Sequence, residues 1–151
     1  MEIDFSNLSK REKFPAKILV RKDDVSLVES IVDVIEERLK RRISQVLSKP
    51  IGLATGRTME PIYTSLISRL RAWPSKELNS LLEGWYSFNL DEYVGLSAKD
   101  SNSFFAYMDH YLGFPLHLTP DKLKVPNGTA NDLTAEANSY GDELRRLGGA
   151  S

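Results

Sequence analysis

The sequence has no cysteine and only two histidines among its 151 residues. The lack of cysteine excludes disulfides, thiol nucleophiles and thiolate metal sites, and it fits a reducing cytoplasm, where we expect the protein to act. The two histidines, His110 and His117, stand seven residues apart and have no carboxylate at a convincing ligand spacing. We therefore expect no metal site.

Long apolar runs and an excess of one charge are also missing. No stretch approaches the length of a transmembrane helix, and residues 1–13 lack the apolar core of a signal peptide, so we expect no contact with a membrane. The formal net charge of −1 gives no general attraction to nucleic acid. A basic cluster at residues 40–42 follows Glu36 and Glu37 by one helical turn, which favours a solvated face with internal ion pairs. What remains is the composition of one ordinary globular domain.

The apolar residues that are present alternate between strand-like and helix-like spacing. Short apolar runs predict strands at residues 17–21, 51–54 and 85–90. Apolar positions three and four apart predict a long helix, capped by Asp23 or Asp24, that extends to Val46. A second helix follows, with Thr58 as a plausible cap. Strands that alternate with helices in this way predict an α/β fold with an open, mostly parallel sheet and helices on both faces.

The second half of the chain contains two further helical patterns. A helix capped by Ser101 or Ser103 carries a stripe of large apolar side chains: Phe104, Phe105, Tyr107, Met108, Tyr111 and Leu112. This stripe could be a stacking platform for a sugar, although its helical spacing favours a core or subunit contact. After an irregular passage that contains several prolines, a final apolar face spans residues 133–147, and two glycines then end the helix.

Two polar segments follow predicted strands. Residues 55–58, Thr-Gly-Arg-Thr, stand between a strand and a helix start, where amides, hydroxyls and the Arg57 side chain could bind a phosphate. The alternative is a plain turn that needs Gly56 for its backbone angles. Asp91 comes at the end of the next strand, and ligands of open α/β sheets bind outside the carboxyl ends of the strands. Asp91 is therefore either a functional carboxylate or the cap of a loop.

These segments resemble signatures of the glucosamine-6-phosphate deaminase family. The sequence GLATGRT at residues 52–58 resembles the family's phosphate loop, usually GLPTGGTP or GLPTGSTP. The sequence FNLDEYVGL at residues 88–96 resembles its long and specific FNMDEYVGL or FNLDEYVGL signature. Asn127 and Gly128, followed by Asp132, Ala135, Glu136 and Tyr140, resemble a third region of the family. The resemblance covers most of the chain, from the first predicted strand onward.

The resemblance implies a Rossmann-like fold and the conversion of glucosamine 6-phosphate to fructose 6-phosphate and ammonia, a hydrolase and isomerase reaction of amino-sugar metabolism. Asp91 would be the general base that moves a proton between C2 and C1 of the ring-opened sugar. The substrate phosphate would be held by Thr55, Gly56, Arg57 and Thr58. No metal or organic cofactor is implied. The related 6-phosphogluconolactonases are the alternative, and Arg57 favours them, but Tyr93 stands where they typically carry arginine.

The sequence departs from the family in three places. Ala54 and Met59 replace prolines of the usual phosphate loop, and nothing matches the GHIAFNEP-type segment that carries the family's ring-opening histidine. We therefore expect residues 1–151 to form a single incomplete domain, truncated before its last strands, whose isolated chain lacks part of the active site. Such a chain would be a homo-oligomer or would be completed by a C-terminal fragment. The other hypothesis is a non-catalytic remnant that binds sugar phosphates.

Overall fold

A computed structural model describes residues 18–43 and 49–149. Its three strands are β1 (Ile51–Leu53), β2 (Ser87–Asn89) and β3 (Leu123–Lys124), which form one parallel sheet in the order β1-β2-β3. Leu53 at the end of β1 pairs with Asn89 at the end of β2. The carboxyl ends of these two strands are therefore level at one edge of the sheet.

Helices precede, connect and follow the strands. Helix α1 (Asp24–Ile43) comes before β1, and α2 (Glu60–Arg71) and α3 (Ser75–Glu83) connect β1 to β2. Helix α4 (Phe104–Met108) continues directly into a π-helix (Asp109–Gly113) and α5 (Phe114–Leu116). A 3₁₀ turn (Pro120–Lys122) then leads into β3, and α6 (Leu133–Arg146) follows it.

The helices cover both faces of the sheet, as predicted. On one face a continuous apolar core includes the fully buried side chains of Val32, Tyr63, Leu70, Met108 and Leu112. On the other face the ring of Phe88 packs against Tyr140 of α6, with the ring centroids 5.2 Å apart. Because neighbours in a strand alternate between faces, Ser87 and Asn89 point toward the core. All of the stripe on α4 and the π-helix except Phe104 belongs to or packs against this core, as its helical spacing favours.

A cluster of charges clamps α1 to α2. The guanidinium group of Arg69 contacts the carboxylates of Glu29, Asp33 and Glu36. Glu36 also lies 2.8 Å from the Lys40 ammonium and accepts a hydrogen bond from the indole of Trp73 at 2.9 Å. Lys40 above all, then Trp73 and Arg69, lower the pKa of Glu36 to about 2 against the opposing effect of burial. The ionised form of Glu36 is thus strongly favoured in the folded protein.

Several helix caps resolve alternatives that the sequence left open. The Asp23 carboxylate, not that of Asp24, accepts a hydrogen bond from the Ser26 amide at 2.8 Å. Ser103, not Ser101, caps α4, because its hydroxyl oxygen accepts from the Ala106 amide at 3.0 Å. At the end of α6, residues 148 and 149 are the predicted glycines with positive φ, and their amides donate to carbonyls of the last helical turn.

Three local predictions are wrong. Residues 18–20 form no strand, since no described strand lies beside them, and Leu19 instead borders a groove along α1. Thr58 does not cap α2, because Met59 intervenes and no side chain caps the helix. The irregular passage in the second half of the chain contains β3. The predicted strand at 85–90 is shorter than expected, and Lys17 and Val46 lie outside the described residues.

Candidate functional site

Residues 55–58 connect the end of β1 to the start of α2. Gly56 has a φ of 121°, a conformation that residues with side chains rarely adopt, and this allows the chain to turn. The amides of Gly56, Arg57 and Thr58 donate to no other residue of the described chain, and the exposed Arg57 side chain forms no ion pair within it. Unpaired amides at the positive end of a helix dipole, beside a guanidinium group, can bind a phosphate.

Two tyrosine hydroxyls hold this loop from the core side. Tyr63 of α2 donates to the Ala54 carbonyl, and Tyr107 of α4 donates to the Gly56 carbonyl at 2.9 Å. Burial raises the pKa of Tyr107 to about 12, and it raises the pKa of Tyr63 as well, so both hydroxyls remain donors at neutral pH. The sequence indicated no role in holding the loop for either residue, because a tyrosine at helical spacing is typical of a core.

Asp91 lies two residues beyond the end of β2. Its side chain is exposed, and its carboxylate accepts no hydrogen bond from the described residues. The adjacent Glu92 is bound instead: its carboxylate accepts from the amides of Tyr93, Phe104 and Phe105 at 2.9, 3.0 and 3.2 Å. Glu92 therefore caps the start of α4. Of the two consecutive carboxylates, only Asp91 is available to a ligand.

The sheet brings the two predicted parts of the site to the same edge. Residues 55–58 follow β1 and Asp91 follows β2, and these neighbouring parallel strands end level with each other. Because paired strands lie about 4.8 Å apart, the two segments leave the sheet side by side. The arrangement places unpaired backbone amides after one strand and an exposed carboxylate after the other.

The third segment supports the loop that follows Asp91. The Gly128 carbonyl accepts a hydrogen bond from the Gly95 amide at 2.7 Å. A Cβ atom on Gly128 would lie 2.2 Å from the Tyr93 carbonyl oxygen and 2.6 Å from that of Leu96. Only glycine therefore permits this approach of two backbone segments. The family-like Asn127-Gly128 pair acts here through its backbone.

Asn89 is an unusual residue at the end of β2, two residues before Asp91. It is 3% exposed, and both polar atoms of its side chain lack a hydrogen-bond partner among the described residues. Buried polar groups in proteins are nearly always paired. The sequence indicated Asn89 only as part of a motif, because no pattern reveals that a buried amide will lack a partner.

Neither histidine lies at this edge of the sheet. His117 borders a groove with Glu83 and Lys122, which precede β2 and β3 at the opposite edge. His110 lies beside the later turns of α2, near Ser68 and Arg71. Within residues 18–43 and 49–149, no group of three or more side chains is arranged to hold a metal ion. No helix in those ranges combines the length and apolar character needed to cross a membrane.

These features define a Rossmann-like α/β protein in which a loop with unpaired amides and an exposed carboxylate follow neighbouring strands. No family model matches the sequence. It is 40% identical over 104 residues to the glucosamine-6-phosphate deaminase of Oceanobacillus iheyensis, covering 68% of this chain and 40% of that protein. It is 35% identical over 133 residues to that of Clostridium beijerinckii, covering 88% and 51%.

A solved structure has the same fold. It is a monomeric glucosamine-6-phosphate deaminase, described as a missing link of the NagB superfamily, and it matches with a TM-score of 0.73 at 30% identity. The match covers 89% of this chain and 52% of that one. The chain belongs to the glucosamine-6-phosphate deaminase family, and it spans about half the length of the relatives that it matches.

Proposed function

We propose that this chain supplies the phosphate-binding loop and the general base of a site that acts on glucosamine 6-phosphate. The observation that carries the proposal is the position of residues 55–58 and Asp91 at the level ends of two neighbouring parallel strands. The amides of Gly56, Arg57 and Thr58, with the Arg57 guanidinium group, bind the phosphate. Asp91 then moves a proton from C2 to C1 of the ring-opened amino sugar, and ammonia is released from C2 by hydrolysis.

The two segments have different roles: residues 55–58 bind the phosphate and Asp91 transfers the proton. Binding the phosphate fixes the far end of the sugar and lowers the entropic part of the barrier at C1 and C2. Ring opening requires a further acid beside Asp91. Glu92 caps α4 and both histidines lie elsewhere, so none of these three residues is placed to supply it. Catalytic groups that act as a unit are strongly non-additive. We therefore propose that these 151 residues alone bind the sugar phosphate without appreciable turnover.

Binding is tested by titrating the protein with inorganic phosphate and with glucosamine 6-phosphate under NMR observation. The amides of residues 56–58 should shift first, and Arg57→Ala should weaken binding by about 1.5–3 kcal/mol, the value of a hydrogen bond to a charged group. Lys76→Ala is the matched control, since it removes one positive charge from the exposed surface of α3. Shifts scattered elsewhere, with the Gly56 and Thr58 amides silent, would contradict the proposal.

Turnover is tested by ammonia release from glucosamine 6-phosphate, with Asp91→Asn measured beside the parent protein. We expect no appreciable release from either. Robust release that Asp91→Asn abolishes would show that another group of this chain supplies the acid, and our statement about turnover would be wrong. Hydrolysis of 6-phosphogluconolactone belongs in the same experiment, because the Arg57-Thr58 pair also resembles the loop of the lactonases.

The exposed surfaces favour association with a second polypeptide, either another copy or a complementing chain. Strand β1 pairs with β2 on one side and with no described strand on the other. Helix α6 has no buried residue. Unpaired strand edges and uncovered apolar faces promote association. Sedimentation across a range of protein concentrations should show species larger than the 17.1 kDa chain. A strict monomer at all concentrations would count against self-association.

The cytoplasm is the compartment we propose, because it suits a chain without cysteine.

A further inference from the structure

Helix α4 contacts both halves of the proposed site. At its first turn, the amides of Phe104 and Phe105 donate to the carboxylate of Glu92, the residue next to Asp91. Three residues after Phe104, the Tyr107 hydroxyl donates to the carbonyl oxygen of Gly56 in the loop at residues 55–58, called the anion loop below. These contacts lie within a single helical turn, whose backbone hydrogen bonds keep their spacing fixed.

The hydrogen bond from Tyr107 determines which way the loop faces. The carbonyl of Gly56 and the amide of Arg57 belong to one planar peptide unit, in which C=O and N–H point in opposite directions. A carbonyl held toward the core by Tyr107 therefore directs the Arg57 amide away from the core. The same carbonyl also accepts from the Met59 amide at 2.9 Å, which fixes the start of the turn.

The ring of Tyr107 is held independently of its hydroxyl group. Its centroid lies 4.6 Å from that of Tyr111 and 6.4 Å from that of Tyr63. Phenylalanine at this position would keep both ring contacts and lose only the hydrogen bond to the loop. The hydroxyl can therefore be removed without removing the packing.

We propose that α4 acts as a strut that sets the position of the anion loop relative to Asp91, with Tyr107 as the positioning residue at one end and Glu92 at the other. The inference rests on the proposed function, because it gives the strut a purpose: holding a phosphate site and a proton-transfer group in register for one sugar phosphate. Neither Tyr107 nor Glu92 needs to touch the ligand.

The strut is tested first in the protein without ligand. Glu92→Gln should shift the amide resonances of residues 56–58, although Glu92 contacts none of them, and it should leave them in place in a Tyr107→Phe background. Loop resonances that ignore Glu92→Gln would overturn the strut whether or not any ligand binds. If Glu92→Gln fails to fold, Tyr107→Phe is tested instead. It should shift the amide resonances of Asp91 and Glu92 at the other end of the strut, and unchanged resonances would overturn the proposal.

The second test measures binding of inorganic phosphate and glucosamine 6-phosphate. Tyr107→Phe should weaken binding of both compounds about five- to twentyfold, the effect of losing one hydrogen bond that orients a charged contact. Tyr111→Phe, which removes the hydroxyl of the neighbouring ring, should change it less than twofold. Equal binding by Tyr107→Phe and the parent protein would overturn the positioning role. Binding of neither compound by the parent, with the resonance changes present, would instead refute the proposed function and leave the strut supported.

Discussion

Replacement of Gly128 by alanine should lower the free energy of unfolding by about 2–4 kcal/mol. The new Cβ would lie 2.2 and 2.6 Å from the carbonyl oxygens of Tyr93 and Leu96, and neither oxygen can rotate away because both belong to the backbone. Carbon–oxygen contacts are normally about 3.3–3.6 Å, so the two segments must separate by about 1 Å. That movement costs about 1–3 kcal/mol of packing and about 0.5–1.5 kcal/mol from the Gly95–Gly128 hydrogen bond.

Urea denaturation followed by circular dichroism measures this change, and Gly141→Ala is a matched control. A Cβ on Gly141 would contact only the end of the Arg145 side chain, at 3.6–3.9 Å, in the middle of α6. That substitution should raise the free energy of unfolding by about 0.5–1 kcal/mol, because glycine is a poor helix former. Gly128→Ala within about 0.5 kcal/mol of the parent protein would refute the idea that this contact fixes the loop after Asp91.

Two further changes test a partly buried carboxylate on α1 and the buried amide at the end of β2. The folded-state pKa of Glu36, about 2, lies below the unfolded value of about 4.3, so its stabilisation is present above that value and is lost as the pH falls toward 2. Glu36→Gln should therefore lower the free energy of unfolding by about 1–2 kcal/mol at pH 7 and make it depend less on pH in the acid range. Glu37→Gln, in an exposed pair with Arg41, is the control and should cost less than about 0.5 kcal/mol. An unchanged pH dependence in Glu36→Gln would contradict this. Asn89→Leu should raise the free energy of unfolding by about 1–2 kcal/mol, because it removes a buried amide that lacks a partner; a loss of stability in the same urea assay would show that the amide is paired.

The sequence predicts the parallel sheet well where an apolar run pairs with another strand. The apolar runs at residues 51–54 and 85–90 contain strands, because each run finds its pairing partner in the other. Residues 17–21 have the same character, yet their described part is no strand, because a strand needs a partner that a local pattern does not supply. Strand β3 was missed for the opposite reason: two residues paired with β2 leave too short a pattern to detect.

The chemistry-bearing part of the site was easier to predict than its support. Residues 55–58 and Asp91 interrupt apolar runs, so they stand out, and they match a long motif. Tyr107 and Glu92 act through contacts that span 51 and 12 or 13 residues, which depend on how α4 packs. The sequence offered Asp91 as the possible cap of a loop, but in the structure the neighbouring Glu92 is the cap.

The attachment of α6 has a consequence for the order in which the molecule opens. The Tyr140 hydroxyl lies 2.9 Å from the carbonyl oxygens of both Asn89 and Lys124, so it joins the ends of β2 and β3. Apart from the Lys124–Glu143 ion pair, few contacts hold this helix, none of whose residues is buried. Elements with little buried surface open in the earliest sub-global fluctuations, which native-state hydrogen exchange detects. When α6 detaches, the ends of β2 and β3 lose the hydroxyl that joins them, although their strand pairing remains. Release of the helix should therefore loosen the carboxyl edge of the sheet, two residues before Asp91.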